Sequence, residues 1–280
     1  MLHGLKGIQD DRPLGDVLTQ SAPTALITGA SSGIGYELAK LFAKDHHNLV
    51  LVARNGPRLA QVGDELQRQF GIRVKTVALD LAAPTAPQSL FEELRRQGVD
   101  VNILVNNAGY GRFGEFAEVA LEESAGQIQL NIAALTSLTR LFLGPMLEHG
   151  SGKIMNVAST AGFQPGPLMA VYYASKAYVI SFSEALANEL AGKGITVTCL
   201  CPGATETGFA GRAGNDQSRL FKKLRPMDAK TVARTGYQGL LKGKTMVIPG
   251  FRNWLVAESV RFSPRKMATA VSRWVSEKAE

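Results

Sequence analysis

The chain has 280 residues, 45% of them hydrophobic, which suits one large α/β domain with a full core. No apolar run reaches the roughly 18 residues of a membrane span, and residues 1–20 mix charges without an apolar segment, so neither a span nor a secretory signal is expected. The net charge of +7 is uneven: from Gly211 onward 15 Lys/Arg stand against 5 Asp/Glu, a balance of +10, which leaves −3 on the first 210 residues.

A basic final third suits an acidic substrate, an acyl carrier or a membrane surface, or is a plain solvated face. Without a recognised module it does not indicate nucleic-acid binding. Residues 1–22 have little core content and are expected to form an extension. The chain then alternates. Strand candidates are 24–28, Asn48–Ala53, Arg73–Leu79, Val101–Val105, Lys153–Ala158, Ile195–Cys201 and Thr245–Ile248. Helical patterns lie between them at about 34–44, 57–70, 87–97, 120–149, 172–192 and 228–242. This alternation predicts a doubly wound α/β fold, a Rossmann-like three-layer sandwich with a seven-stranded parallel sheet. Ligands in such sheets bind beyond the carboxyl ends of the strands. Thr28, Ala53, Asp80, Asn106, Ser159 and Pro202 should therefore ring one crevice.

The first strand runs into Gly29, Gly33 and Gly35, and Ile34, Leu38, Leu41 and Phe42 then recur at helical spacing. A strand, a glycine turn and a helix N-terminus make an anion site. The end of the second strand selects the nucleotide. An acidic residue there would hold the ribose 2′-hydroxyl of NAD. Arg54 stands there instead and can meet a 2′-phosphate with a forked pair of donors, which favours NADP(H). Asp80, after the third strand, could cap a turn. Asn106-Asn107-Ala108-Gly109 follows the fourth strand, where Asn and Gly tolerate unusual backbone angles. Asn131 lies inside an apolar helical stretch and needs a partner if buried.

Ser159 ends the fifth strand, and Tyr172 and Lys176 lie four apart at the start of a helix, on one face. An ammonium beside a phenol lowers the phenol pKa, and a hydroxyl such as Ser159 can donate to a carbonyl oxygen. With a hydride passed from the nicotinamide to the carbonyl carbon and a proton from Tyr172 to its oxygen, the three can support reduction of a carbonyl. Tyr173 competes with Tyr172, and Thr160 with Ser159. Cys199 and Cys201 share a strand face near the upper Cα limit for a bridge, roughly 6.5–7 Å, so buried thiols and a reducing, cytoplasmic setting are expected. His46, His47 and His149 match no metal pattern.

Thr28-Gly-Ala-Ser-Ser-Gly-Ile-Gly35, Asn106-Asn-Ala-Gly109, Ser159, Tyr172-x-x-x-Lys176 and Pro202-Gly203 together resemble the short-chain dehydrogenase/reductase family over about residues 22–250. The resemblance implies that Gly29, Ser31, Ser32, Gly33, Ile34, Gly35, Arg54, Asp80, Leu81, Asn107, Ala108 and Gly109 bind the cofactor, with Asp80-Leu81 at the adenine. It selects Ser159 and Tyr172 over their neighbours and gives Lys176 a second role on the nicotinamide ribose. It makes Asn131 a catalytic residue that kinks its helix around a water. It places Pro202, Gly203 and Thr207, or Thr205, at the nicotinamide. It further implies a homodimer or homotetramer through helices 120–149 and 172–192, with substrate specificity in a lid at about 205–227. Phe209, Leu220, Phe221 and Leu224 supply apolar faces to that lid.

Residues 251–280 are expected to add a helical extension, with Ser263 as N-cap, Pro264 in the first turn, and Met267, Val271, Trp274 and Val275 on one face. That extension could cover the cleft, dock on a subunit or lie on a membrane surface. The expected function is NADP(H)-dependent interconversion of a carbonyl and an alcohol. The substrate would be apolar: a 3-oxoacyl thioester, a steroid-like ketone, or another ketone or aldehyde. The alternative is a nucleotide-sensing or scaffold protein that kept the fold and lost turnover.

Overall fold

Ala25, Leu26 and Ile27 are fully buried, and so are Leu49 to Val52 in the neighbouring strand. Strands covered on both faces need such continuous apolar runs. The computed structural model describes residues 22–222 and 226–277, apart from the side chains of Leu220 and Phe221. Residues 1–21 of the extension expected at 1–22, and Leu224 with the side chains of Leu220 and Phe221 in the expected lid, lie outside the described residues.

The sheet is built from β1 (Thr24–Thr28), β2 (Asn48–Ala53), β3 (Val74–Ala78), β4 (Ile103–Asn106), β5 (Gly152–Val157), β6 (Ile195–Leu200) and a last strand, Met246–Val247. Its order is β3-β2-β1-β4-β5-β6 and then the last strand. Every pairing is parallel. Between β1 and β4 the winding reverses, which puts the switch in strand order beside the glycine turn. One core layer joins Ala25, Ile27, Leu38 and Phe42 to Leu49, Leu59, Val105 and Val232. The opposite layer joins Leu26, Val50 and Leu90 to Leu104, Leu138 and Phe142. Each such side chain contributes roughly 1.5–3 kcal/mol when fully buried.

Helix α1 (Gly33–Lys44) starts directly from the glycine turn. Helix α2 (Gly56–Phe70) has a full set of local signals. Asn55 accepts the Arg58 N–H at its start, Pro57 sits in the first turn, and Gly71 ends it in the left-handed region at φ 64°. Helix α3 (Ala86–Arg96) follows β3. The stretch expected as one helix over 120–149 is α4 (Leu121–Ile128), a π-helical turn over Gln129–Ala134, and α5 (Leu135–Glu148). Leu121–Glu148 is long and apolar enough on average to cross a bilayer. Here Leu130, Ala134, Leu138, Phe142 and Met146 of that stretch are buried in the core. Helix α6 (Ala170–Glu189) carries Tyr172 in its first turn.

After β6 the chain makes a two-stranded ladder, β7 (Thr205–Glu206) with β8 (Met227–Asp228), flanking the short helices α7 (Phe209–Ala213) and α8 (Arg219–Lys222). Helix α9 (Ala229–Leu241) leads to the last sheet strand, β9 (Met246–Val247). Two further helices follow, α10 (Phe251–Val260) and α11 (Arg265–Ser276). The expected N-cap at Ser263 is not used. The Ser263 hydroxyl donates instead to the Ser259 carbonyl at 2.9 Å, and Pro264 takes the cap position. Cys199 and Cys201 are free and fully buried, with sulfurs 3.6 Å apart.

Candidate active site

The glycine turn is shaped by backbone sterics. Gly29 and Gly33 have φ of 66° and 58°, in the left-handed region that side chains disfavour. Gly35 is buried beneath the turn, and a Cβ there would lie 2.4 Å from both the Gly29 carbonyl and Asn107 Nδ2. Asn107 holds the turn from the next strand. Its side chain donates to the Thr28 and Gly29 carbonyls at 2.9 and 3.2 Å, and its N–H donates to Thr28 Oγ1 at 3.0 Å. Ser32 caps α1 without a side-chain hydrogen bond, so the first-turn N–H groups of a 12-residue helix stay open to an anion.

A cleft of about 1140 Å³ runs from this turn across the carboxyl ends of the strands. Its walls include Gly29, Ser31, Ser32, Gly33, Ile34, Arg54, Asp80, Leu81, Asn107, Ala108 and Gly109, then Ser159, Tyr172, Lys176, Pro202, Gly203, Thr205 and Thr207. Gly35 and Asn131 stand behind the wall. Asp80 takes the turn-capping role, accepting the Ala82 N–H at 3.0 Å. Thr207 crosses the turn, its methyl 3.0 Å from where a Cβ of Gly33 would be. Thr205 instead donates to the Gly203 carbonyl at 2.9 Å.

Asn131 is almost wholly buried and sits inside the π-helical turn. It accepts the Tyr110 N–H at 3.1 Å and donates to the Tyr110 carbonyl at 2.9 Å and to Ser175 at 3.0 Å. It therefore fixes the segment after β4 against α6.

Ser159 follows β5, accepts the Ala161 N–H at 3.1 Å and donates to the Pro202 carbonyl at 3.3 Å. Lys176 is buried and donates from Nζ to the Val157 carbonyl at 2.7 Å. The same Nζ lies 5.7 Å from the centroid of the Tyr172 ring. Burial brings the Lys176 pKa down to about 8, against a smaller upward pull from Cys199 and Cys201. Burial also raises the Tyr172 phenol above its usual range, and the hydrogen bond with Ser159 pulls it back only in part. This corrects the expectation of a lowered phenol pKa, because desolvation outweighs the nearby ammonium. The ammonium is engaged by Val157, and desolvation dominates. Tyr173 also borders the cleft, but its ring is buried against Gly166, where a Cβ would meet it, and lies edge-on to Tyr172 with centroids 6.1 Å apart.

Sequence reasoning missed part of the wall. Arg58 lines the cleft beside Arg54, and Tyr110, Met227 and Asn253 join it further along. Val256 and Val260 of α10 extend the wall, and so do Met267, Val271 and Val275 of α11, for whose face covering the cleft was one of the expected roles. The signal for Arg58 was the Asn55–Pro57 helix start, which sets it one turn from the end of β2. The signal for α11 was the four-residue spacing of Met267, Val271 and Val275.

The short chain dehydrogenase family model matches residues 23–218. Sulfoacetaldehyde reductase 2 of Chromohalobacter salexigens is 38% identical over 214 residues, which cover 74% of this chain and 84% of that protein. Ketoacyl reductase HetN of Nostoc sp. is 35% identical over 192 residues, or 68% of this chain and 67% of that protein. Among solved structures, a short-chain dehydrogenase from Sphingobium yanoikuyae in complex with NADPH superposes with a TM-score of 0.77. It is 34% identical, with 86% of this chain and 94% of that chain covered. The bulky-bulky ketone specific alcohol dehydrogenase from Comamonas testosteroni superposes with a TM-score of 0.73 at 31% identity, covering 86% and 92%.

Proposed function

The chain belongs to the short-chain dehydrogenase family, and on that premise we propose that Ser159, Tyr172 and Lys176 reduce an apolar ketone or aldehyde with NADPH. The observation that carries this reading is the meeting of the three side chains on one wall of the cleft, beyond the end of β5. The cofactor fit rests on the open N-terminus of α1 for the pyrophosphate and on Arg54 with Arg58 for a 2′-phosphate. No carboxylate ends β2 to favour the 2′-hydroxyl of NAD.

Bound in this cleft, NADPH supplies the hydride that reduces the carbonyl carbon. Tyr172 gives its phenolic proton to the carbonyl oxygen. Burial raises its pKa, so the phenol holds its proton at neutral pH until the charge that develops on the carbonyl oxygen draws it away. Ser159 donates a hydrogen bond to the same oxygen and stabilises the charge that develops there. Lys176, still charged below about pH 8, holds the end of β5 through Val157 and stands beside the phenol to favour its departing proton. Asn131 keeps Tyr110 and Ser175 in register, and so keeps α6 seated against the cleft.

Residues 205–227 form the substrate lid, and 251–277 its outer wall. The lid is tied to α11: Arg219 donates to the Trp274 carbonyl at 2.9 Å and pairs with Glu277 at 3.0 Å. Phe209, Met169 and Met227 line the substrate end of the cleft, and Phe209 lies 5.2 Å from the Tyr172 ring. An apolar carbonyl compound of the 3-oxoacyl or steroid-like class suits such a wall. Leu121, Ile128, Leu147 and Tyr178 are exposed on α4, α5 and α6, which supports a homodimer or homotetramer through that face. The free buried cysteines support a cytoplasmic, reducing setting.

Titration with NADPH and with NADH, followed by nicotinamide fluorescence, tests the reading. Tighter NADPH binding that is lost in Arg54→Asp supports it. Equal or tighter NADH binding overturns the cofactor assignment, and binding of neither points to a protein that does not turn over.

A further inference from the structure

Helix α11 is inverted relative to an ordinary surface helix. Its buried residues are Ser272 and Ser276; Met267 and Val271 are more than half exposed where they border the open cleft, and Trp274, which is not part of the cleft wall, is more than half exposed as well. A surface helix in water does the reverse, hiding its apolar stripe and showing its polar one. Helix α10 repeats the pattern. Ala257 is its buried residue, Phe251, Trp254 and Leu255 are exposed away from the cleft wall, and Val256 is exposed where it borders the cleft. Phe262, in the turn between the two helices, is 88% exposed. Of the 14 large hydrophobic side chains exposed among the described residues, these two helices and their turn hold eight. Both tryptophans of the chain are among them. An apolar surface this concentrated marks a contact with something other than water.

Charge decides what that is. Exposed Arg252, Arg265 and Lys266 interleave with the apolar side chains, and none has an ion-pair partner among the described residues. Residues 251–277 carry five Lys/Arg against two Asp/Glu. A symmetric contact with a second copy would set this basic surface against itself. An anionic lipid surface complements it, and Trp, Phe and Arg together are the side chains that settle at a headgroup boundary.

We propose that α10 and α11 form a docking face for an anionic lipid bilayer, lying in the interface plane with Phe251, Trp254, Phe262 and Trp274 in the headgroup boundary. Val256, Met267 and Val271 belong both to this exposed face and to the wall of the cleft. Docking therefore turns the cleft mouth toward the lipid. An apolar carbonyl substrate then enters from the bilayer without crossing water, a consequence that rests on the reductase reading. The docking itself does not.

The two tryptophans report binding directly, since both sit on the face in question. The full chain is mixed with phosphatidylcholine–phosphatidylglycerol vesicles and with pure phosphatidylcholine vesicles. Tryptophan emission and vesicle flotation are read together. The expected result is a blue shift and co-flotation with the anionic vesicles, weakened by salt. The triple variant Arg252→Glu/Arg265→Glu/Lys266→Glu should bind these vesicles about a hundredfold more weakly, at roughly a factor of five for each basic residue. Those three side chains lie outside the cleft wall, so NADPH titration of the variant should match the parent and show it folded. Failure to float with anionic vesicles overturns the proposal. A blue shift that instead rises with protein concentration and no lipid also overturns it, and gives the face to a second copy. Loss of NADPH binding in the parent would count against the reductase reading and leave the docking result standing.

Discussion

Lys176 reaches past the phenol it stands beside: its Nζ donates to the Val157 carbonyl at 2.7 Å and lies 5.7 Å from the Tyr172 ring centroid. One cation therefore ties the end of β5 to the first turns of α6, and the two candidate acid–base groups move as a unit.

This arrangement fixes a pH dependence. Lys176 is charged below about pH 8 and neutral above it, while burial keeps Tyr172 protonated well beyond that. The kcat/KM for carbonyl reduction, which reports the free enzyme, should fall about tenfold per pH unit above roughly pH 8. Lys176→Arg keeps a cation at every accessible pH and should remove that limb, at a lower maximal rate. The fall is not unfolding driven by this group. A buried Lys with a lowered pKa binds its proton less readily folded than unfolded. Between about pH 8 and the ordinary lysine value the unfolded chain thus holds more protons, and stability rises with pH. A profile that stays flat through pH 9 in the parent contradicts the role given to Lys176.

The glycine turn gives a prediction with an internal control. Gly35→Ala would push a methyl into the Gly29 carbonyl and Asn107, and backbone cannot yield cheaply. It should cost about 1–3 kcal/mol in stability and weaken NADPH binding at least about tenfold. Gly71→Ala places its methyl in open space at a φ of 64°. It should cost roughly 1 kcal/mol in stability and leave NADPH binding unchanged. Thermal unfolding and fluorescence titration of the two variants separate strain at the site from strain elsewhere.

Asn131→Ala removes both hydrogen bonds that hold Tyr110 and leaves those backbone groups unpaired. A loss of about 1–3 kcal/mol is expected, together with a lower kcat. Ser175→Ala removes only one of the partners of Asn131 and should do less. A larger rate loss from Ser175→Ala than from Asn131→Ala would contradict the positioning role.

The strands were legible because parallel buried strands are short apolar runs, and β1 and β2 fall on the expected residues. Gly29 and Gly33 were legible from one turn, Tyr172 and Lys176 from one helix face, and Ser159 from its place just beyond the end of β5. Other parts were not. Arg58 enters the cleft only because Asn55 starts α2 at the strand end, a tertiary consequence of a local cap. Helix α10 falls within the expected helical extension, but which of its apolar residues stay exposed, Phe251, Trp254 and Leu255, and which one is buried, Ala257, is set by the elements packed around it. The direction of the Tyr172 shift was misread because sequence gives the distance between Tyr172 and Lys176 along the helix, but not the depth of burial. The distortion at Asn131 was expected only through the family resemblance, which implies a kink there; its π-helical form has no local signature beyond a polar residue in an apolar stretch.

The central claim is that Tyr172 gives the proton to the carbonyl oxygen. The most direct measurement is kcat for reduction of an apolar ketone by Tyr172→Phe, alongside its NADPH dissociation constant. The account predicts a fall in kcat of about a thousandfold with NADPH binding essentially unchanged, because the phenol hydroxyl is lost and the cleft is kept. Turnover at the parent rate with NADPH bound would contradict it and give the proton to another group.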